Sequence, residues 1–130
     1  MRDRQRKHAE LVSAELEWHD GCAIDDVSPG SGLAVTVEGE QIAIVRTRDG
    51  LLAAVSNFDP FSQAFVIARG SVEARAGVPI ITSPIYQQSF ELENGECLDA
   101  PNVRLAVFPI RVAGGRIQIA RLVRPKSADE

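Results

Sequence analysis

Two short stretches, Asn57-Phe58-Asp59-Pro60-Phe61 and Ser83-Pro84-Ile85-Tyr86-Gln87-Gln88-Ser89-Phe90, are built on one plan: a proline in a tight loop that is entered from an apolar run. Loops of this shape often carry metal ligands, yet neither contains a Cys or a His. An Asp just ahead of a Pro, as Asp59 is, most often accepts hydrogen bonds from its own backbone as a turn former. One carboxylate without imidazole neighbours also makes a poor transition-metal site. The remaining side chains, Phe58, Pro60, Phe61, Phe65, Pro84, Ile85 and Tyr86, are apolar or aromatic in a chain that is only 5% aromatic. They either fill the bases of the loops as core or face outward as a protein-contact patch, since aromatic residues are enriched at the centres of interfaces.

Other chemistry is sparse. His8 and His19 both precede the region of β-type sequence, which disfavours a Ser/His/Asp or Cys/His site, where the base must reach its nucleophile through a direct hydrogen bond. Cys22 and Cys97 stand far apart with no Cys or His at metal-site spacing, the pattern of small buried thiols in a reducing compartment. The glycines of Gly30-Ser31-Gly32-Leu33 lead into a strand and not into a helix, so they do not make a phosphate-cradling loop. Asp25, Asp26, Glu91, Glu93, Glu96 and Asp99 fall at turns and at alternate strand positions, where carboxylates form a solvated face.

The elements that must position the two loops are short and β-type. Leu33-Ala34-Val35-Thr36-Val37, Gln41 to Arg48 and Leu51 to Asn57 read as a meander, and Asp49-Gly50 is a hairpin turn signal because Gly accepts positive φ. Short strands or turns joined by glycines follow at Phe65 to Gly70, Ser71 to Ala74 and Val78 to Thr82. Further hairpins are expected around Asn94-Gly95 and Gly114-Gly115. The sum is an all-β domain, a small sandwich or barrel of about nine or ten short antiparallel strands. Residues 1–17 form a charged arm in which Ala9, Leu11, Val12 and Leu16 are spaced for a short amphipathic helix or a frayed segment. Residues 18–123 form the domain, and residues 124–130 a polar tail. At 130 residues and a net charge of −4, the chain offers no concentrated positive surface for nucleic acid or anionic membrane. No apolar run approaches the roughly 18–20 residues of a membrane span. The early basic cluster is not followed by the apolar stretch of a secretory leader, so a cytoplasmic location is expected.

The two loops resemble those of a Rieske domain, a small β fold that holds a [2Fe-2S] cluster between a C-x-H and a C-x-x-H loop. Asn57 to Phe61 aligns with its N-x-C-P-H loop, and Ser83 to Tyr86 with C-P-x-H. Phe90 to Gly95 aligns with the hairpin F-x-L-x-x-G that follows. Asp59 and Phe61 then stand where the first Cys and His would be, and Ser83 and Tyr86 where the second pair would be. No such set supplies four cluster donors. The combination, together with Trp18 to Gly32, Val66 to Gly70 and Phe108 to Arg121, is similar to the family of small subunits of cytoplasmic NAD(P)H-dependent assimilatory nitrite reductases, Rieske-like domains that lack the cluster.

The resemblance implies a non-catalytic chain with no cofactor of its own, which supports or assembles a large subunit. That partner carries flavin, [4Fe-4S] and sirohaem and reduces nitrite to ammonium in nitrate assimilation. It also implies that the loop tip, with Phe58, Pro60, Phe61, Ile85 and Tyr86, is the docking surface. The residues alone leave open a cluster-free Rieske-like interaction module for another oxidoreductase, and a metal protein or enzyme that uses Asp59 and Tyr86.

Overall fold

A computed structural model describes residues 16–122. Of the N-terminal arm expected over residues 1–17, residues 1–15, with His8, and the tail at 124–130 lie outside the described residues, while Leu16 and Glu17 are not helical but begin a strand that pairs with the last one. The described chain forms strands β1 (Leu16–Ala23), β2 (Ser31–Val37), β3 (Glu40–Arg46), β4 (Leu52–Ser56), β5 (Phe58–Asp59), β6 (Ala64–Phe65), β7 (Ser71–Arg75), β8 (Val78–Thr82), β9 (Ser89–Glu91), β10 (Val107–Phe108), β11 (Ile110–Ala113) and β12 (Arg116–Leu122). Two single turns of 3-10 helix, Ile24–Asp26 and Ile67–Arg69, interrupt them. Twelve strands exceed the expected nine or ten because β5, β6 and β10 are two-residue strands, too short to leave an alternation in the sequence. β1 opens at Leu16, slightly ahead of the change in texture at Trp18.

The strands pair antiparallel in four sheets, ordered β1-β12-β11, β10-β4-β3-β2, β5-β6 and β7-β8-β9. Local turn chemistry sets much of this. Glu38-Gly39 joins β2 to β3 with both residues at positive φ (51° and 84°), directly between the paired Val37 and Glu40. This is the two-residue turn whose twist matches that of the flanking strands. The Asp49-Gly50 turn is wider than a two-residue hairpin. Thr47 closes it, its Oγ1 accepting from Leu51 N at 2.8 Å and donating to Asp49 Oδ1 at 2.5 Å.

β3 is the middle of the molecule. Ile42, Ala43, Ile44 and Val45 are all fully buried, and alternate residues serve different cores. Ile42 and Ile44 pack with Cys22, Val27, Ala54, Ile117 and Ile119, towards the sheet of β1, β12 and β11. Ala43 and Val45 pack with Val55, Ile67, Ile81, Phe90 and Leu105, towards the sheet of β7, β8 and β9. A strand covered on both faces needs a continuous apolar run, which is what Gln41-Ile42-Ala43-Ile44-Val45 supplies.

The register also decides which features share an end of the molecule. β4 runs antiparallel to β3, so Asn57, just past β4, lies beside Gln41 at the start of β3 and donates its backbone N–H to Gln41 O at 3.0 Å. The β2–β3 turn lies at this end. So do the paired residues Leu16 and Leu122, because the neighbouring Arg121 reaches Val37 O at 3.3 Å and the Glu40 carboxylate at 3.1 Å. At the opposite end, the β3–β4 loop and the β7–β8 turn face each other across a groove lined by Thr47, Arg48, Asp49, Leu51, Glu73 and Pro79. Among the described residues, no helix is long and apolar enough to cross a membrane.

Candidate functional site at the paired loops

The two loops do come together. Asn57 fixes the first one. It is buried, its Nδ2 donates to Gln41 Oε1 at 3.0 Å, and its Oδ1 accepts from Ala68 N at 2.7 Å. Its backbone carbonyl accepts from Ile67 N at 3.2 Å. One amide therefore ties the loop to β3 on one side and to the 3-10 turn on the other. The second loop leaves the end of β8 and closes through Ser83 N donating to Gln88 O at 2.9 Å.

Asp59 is fully buried. It acts as the expected turn former, its Oδ1 accepting from Phe61 N at 2.9 Å. Its other oxygen reaches across to the second loop, where the Ser83 hydroxyl donates to Oδ2 at 2.5 Å. Ser83 is also buried. Burial alone would raise the Asp59 carboxyl, but the Ser83 hydroxyl and the backbone N–H of Phe61 outweigh it and hold the group below its ordinary value, so the carboxylate stays charged. The two positions that align with the cysteines of a Rieske site are thus in direct contact with each other.

The positions that align with the histidines diverge. Phe61 is half-buried and packs on the core, its ring 6.2 Å from that of fully buried Phe90. It departs from the outward-facing set expected from sequence, because the Asp59 turn directs it down onto β9. Tyr86 is 61% exposed, and Ile85 beside it 45%. Phe58, on the face of β5 opposite Asp59, is exposed and packs against exposed Phe65, its cross-strand partner in β6, with the ring centres 5.1 Å apart and the planes tilted by 60°. Pro60 is half-buried and Pro84 exposed.

These residues do not fit an iron–sulfur cluster. The inward-facing donors, a carboxylate and a hydroxyl, satisfy each other at 2.5 Å, and Phe61 has no donor atom. The two thiols cannot replace them, since Cys22 belongs to one core and Cys97 to the other. Burial, with Asp26 nearby, also pushes the Cys22 thiol up and away from the thiolate. His19 sits half-buried on β1, its Nε2 3.2 Å from Glu17 Oε1, and Asp25 and Asp26 are exposed at the far end of that strand. None of these joins the loops.

Two features escaped sequence reasoning. Residues 57–65 and 83–88 contain a single charged residue, the buried Asp59, in a chain that is 25% charged. Gln63 and Gln87, each four positions after the residue at a cysteine position, both adopt positive φ (60° and 65°) and are exposed. Glutamine has no special preference for that conformation, so nothing in the sequence marks it.

A family model for the Rieske-like [2Fe-2S] domain matches residues 17–120. The nitrite reductase (NADH) small subunit of Salmonella typhimurium is 35% identical over 104 residues, which cover 79% of this chain and 96% of that protein. The solved Mycobacterium tuberculosis protein assigned as an NADH-dependent nitrite reductase small subunit superposes with a TM-score of 0.80 at 45% identity, covering 84% of this chain and 98% of that one. The nitrite reductase [NAD(P)H] large subunit of Klebsiella oxytoca contains a segment 29% identical to 78% of this chain, and that segment is 11% of its own length.

Proposed function

The chain belongs to the Rieske-like [2Fe-2S] domain family, and we propose that within it the chain is the small subunit of an NAD(P)H-dependent nitrite reductase. Its role is to bind and support the large subunit, in the cytoplasm where NAD(P)H is supplied. Flavin, [4Fe-4S] and sirohaem belong to that partner, which carries electrons from NAD(P)H to nitrite and releases ammonium for nitrate assimilation. This chain holds no low-potential carrier at its loops, so its contribution is contact and not electron relay.

The observation that carries this reading is the state of the loop tip. The frame of a cluster-binding tip is intact, yet its inner positions are closed by the Asp59–Ser83 hydrogen bond, and its two loops expose aromatic and aliphatic side chains and no charged residue of their own. Exposed aromatics without charge form the energetic centre of protein interfaces, where Tyr and other large rings anchor in desolvated pockets. Phe58, Phe65, Ile85 and Tyr86 are those anchors, while Phe61 and Pro60 support them from below. The Klebsiella large subunit, with a segment of this kind in its own polypeptide, supports a lasting association between the two parts.

The test is reconstitution. Nitrite-dependent NAD(P)H oxidation by the large subunit is measured with and without this chain, alongside the large subunit's melting temperature and retention of its cofactors. A gain in rate, stability or cofactor retention supports the reading, and no change in any of the three rejects it.

A further inference from the structure

A second group of polar side chains gathers outside the two loops, where the first strand meets the β2–β3 turn. Glu17 and His19 stand two residues apart on β1 and so share one face of it. That face is the inner one, because Ile119, paired with His19 in β12, is fully buried with Ile42 and Ile44. Glu38 comes from the turn itself, at a positive φ of 51°. One nitrogen of the imidazole and one oxygen of each carboxylate all lie within 4.8 Å of one another.

The neighbouring charges leave this group without a cation. Arg121, opposite Glu17 in β12, is committed to the Glu40 carboxylate at 3.1 Å and to Val37 O at 3.3 Å. Among the described residues no arginine pairs with Glu17 or Glu38. The imidazole is uncommitted too. Its Nε2 is shielded from solvent and lies 3.2 Å from Glu17 Oε1, yet it makes no hydrogen bond among the described residues. A shielded polar atom left without a partner is rare in folded proteins and calls for something to satisfy it. An imidazole and two carboxylates are donors that suit a late first-row divalent ion, at about 2.0–2.2 Å each. Such an ion draws its ligand atoms to about 3–4 Å from one another. The side chains of Glu17 and Glu38 are exposed and can swing inward by that amount, while His19, only 20% exposed, holds the fixed corner.

We propose that Glu17, His19 and Glu38 form a binding site for a divalent transition-metal ion of the Zn²⁺ class, with water completing its coordination. The ion ties β1 to the β2–β3 turn and replaces the repulsion of two carboxylates with a shared bond. Its role is to fasten the start of the domain to the hairpin beside it. Mg²⁺ and Ca²⁺, which favour oxygen ligands throughout, are poorer occupants because one donor is an imidazole. The site is separate from the Asp59–Ser83 pair and does not depend on the subunit assignment.

Calorimetric titration of the untagged full chain with Zn²⁺, after treatment with chelator, tests the site. One ion should bind per chain, and an excess of Mg²⁺ should not displace it. His19→Ala and Glu38→Gln should each lower Zn²⁺ affinity by more than about tenfold, whereas His8→Ala should leave it within about twofold. Zn²⁺ should raise the melting temperature of the wild type and not that of His19→Ala, because an ion that binds the folded state alone stabilises it. Glu38→Gln changes only an exposed side chain at a turn, so it keeps the test decisive if His19→Ala fails to fold. The chain loaded with Co²⁺ should show no thiolate-to-metal absorption, since Cys22 and Cys97 are buried in the two cores. Absence of Zn²⁺ binding, binding that survives both His19→Ala and Glu38→Gln, or binding lost with His8→Ala and kept with His19→Ala overturns the site.

Discussion

Ser83 Oγ donates to Asp59 Oδ2 at 2.5 Å, across two loops whose residues are 24 positions apart in the chain and out of reach of solvent. Hydrogen bonds to an ionised acceptor are among the stronger ones, and this bond links the loops where a Rieske domain would link them through iron and sulfide. Asp59 therefore serves two purposes: Oδ1 shapes its own turn and Oδ2 holds the neighbouring loop.

Removing either partner should destabilise the domain measurably. Ser83→Ala leaves a buried carboxylate with one fewer donor and should cost about 1.5–3 kcal/mol, while Asp59→Ala strands the Ser83 hydroxyl and the Phe61 N–H and should cost about 2–4 kcal/mol. Urea unfolding of the two single variants and the double variant forms a cycle. The double variant should fall short of the additive sum by about 1 kcal/mol or more. An additive result would mean that the two side chains do not support each other.

The same bond predicts an acid dependence. The Asp59 carboxyl is held below its ordinary value of 3.8, since burial, which raises it, is outweighed by the bonds from Ser83 and Phe61. A carboxylate with a depressed folded-state value contributes stability that is fully present above the unfolded value and is lost as pH falls through the folded one. Wild type and Asp59→Asn should thus differ most near neutral pH and up to it from just above 4, and converge as the pH falls below about 4. Urea midpoints measured from about pH 6 down to about pH 2 would check this. A gap of constant size across that range would contradict it.

The aromatic residues of the tip should separate into two kinds on substitution. Tyr86→Asp and Ile85→Asp place charge on exposed positions, so they should leave the melting temperature nearly unchanged and weaken binding to the large subunit by at least about 2 kcal/mol through an unpaired interfacial charge. Phe61→Asp instead places a carboxylate against Phe90 and the core and should lower stability by about 3 kcal/mol or more. Melting curves and binding titrations of the three variants would separate the two effects. Equal loss of stability in all three would remove the distinction.

Gly95 should tolerate no side chain. Its φ is +78°, and a Cβ would lie 2.1 Å from the backbone oxygen of Leu105, whose N–H donates to Gly95 O at 2.8 Å. Gly95→Ala combines a left-handed backbone with a collision against main chain and should cost more than about 2 kcal/mol. Chemical denaturation of this one variant is sufficient, and a near-neutral effect would show that the 104–106 segment shifts freely.

Much of the frame is legible in the sequence because it rests on local rules. The glycine turns and the continuous apolar run of β3 carry their reasons within a few residues, while Asn57, Phe90 and Gly95 are legible through the resemblance to Rieske loops, the partners of Asn57 and Gly95 (Gln41, Ala68 and Leu105) lying farther along the chain. Two properties of the site do not. Asp59 can be read as a turn former from its neighbour Pro60, but its bond to Ser83 depends on how β4 and β8 end side by side, which no local pattern encodes. Phe58 and Phe61 look alike in the sequence, yet one is exposed and the other rests on Phe90, because a loop has no periodicity from which to read direction. β5 and β6 are hidden for a related reason: two paired residues are too few to alternate.

The closure of the loops by a carboxylate and a hydroxyl bears on how the protein is made. A domain that must receive iron and sulfide to organise its tip depends on a delivery apparatus, on iron supply and on protection from oxidants until the metal is in place. Here the linking groups are encoded in the polypeptide and meet as soon as the sheets that carry β4 and β8 pack together. The loop tip is therefore complete at the end of folding, and its closure needs neither iron nor sulfide. On the proposed assignment, assembly with the larger chain need not wait for any cluster to be delivered to this one.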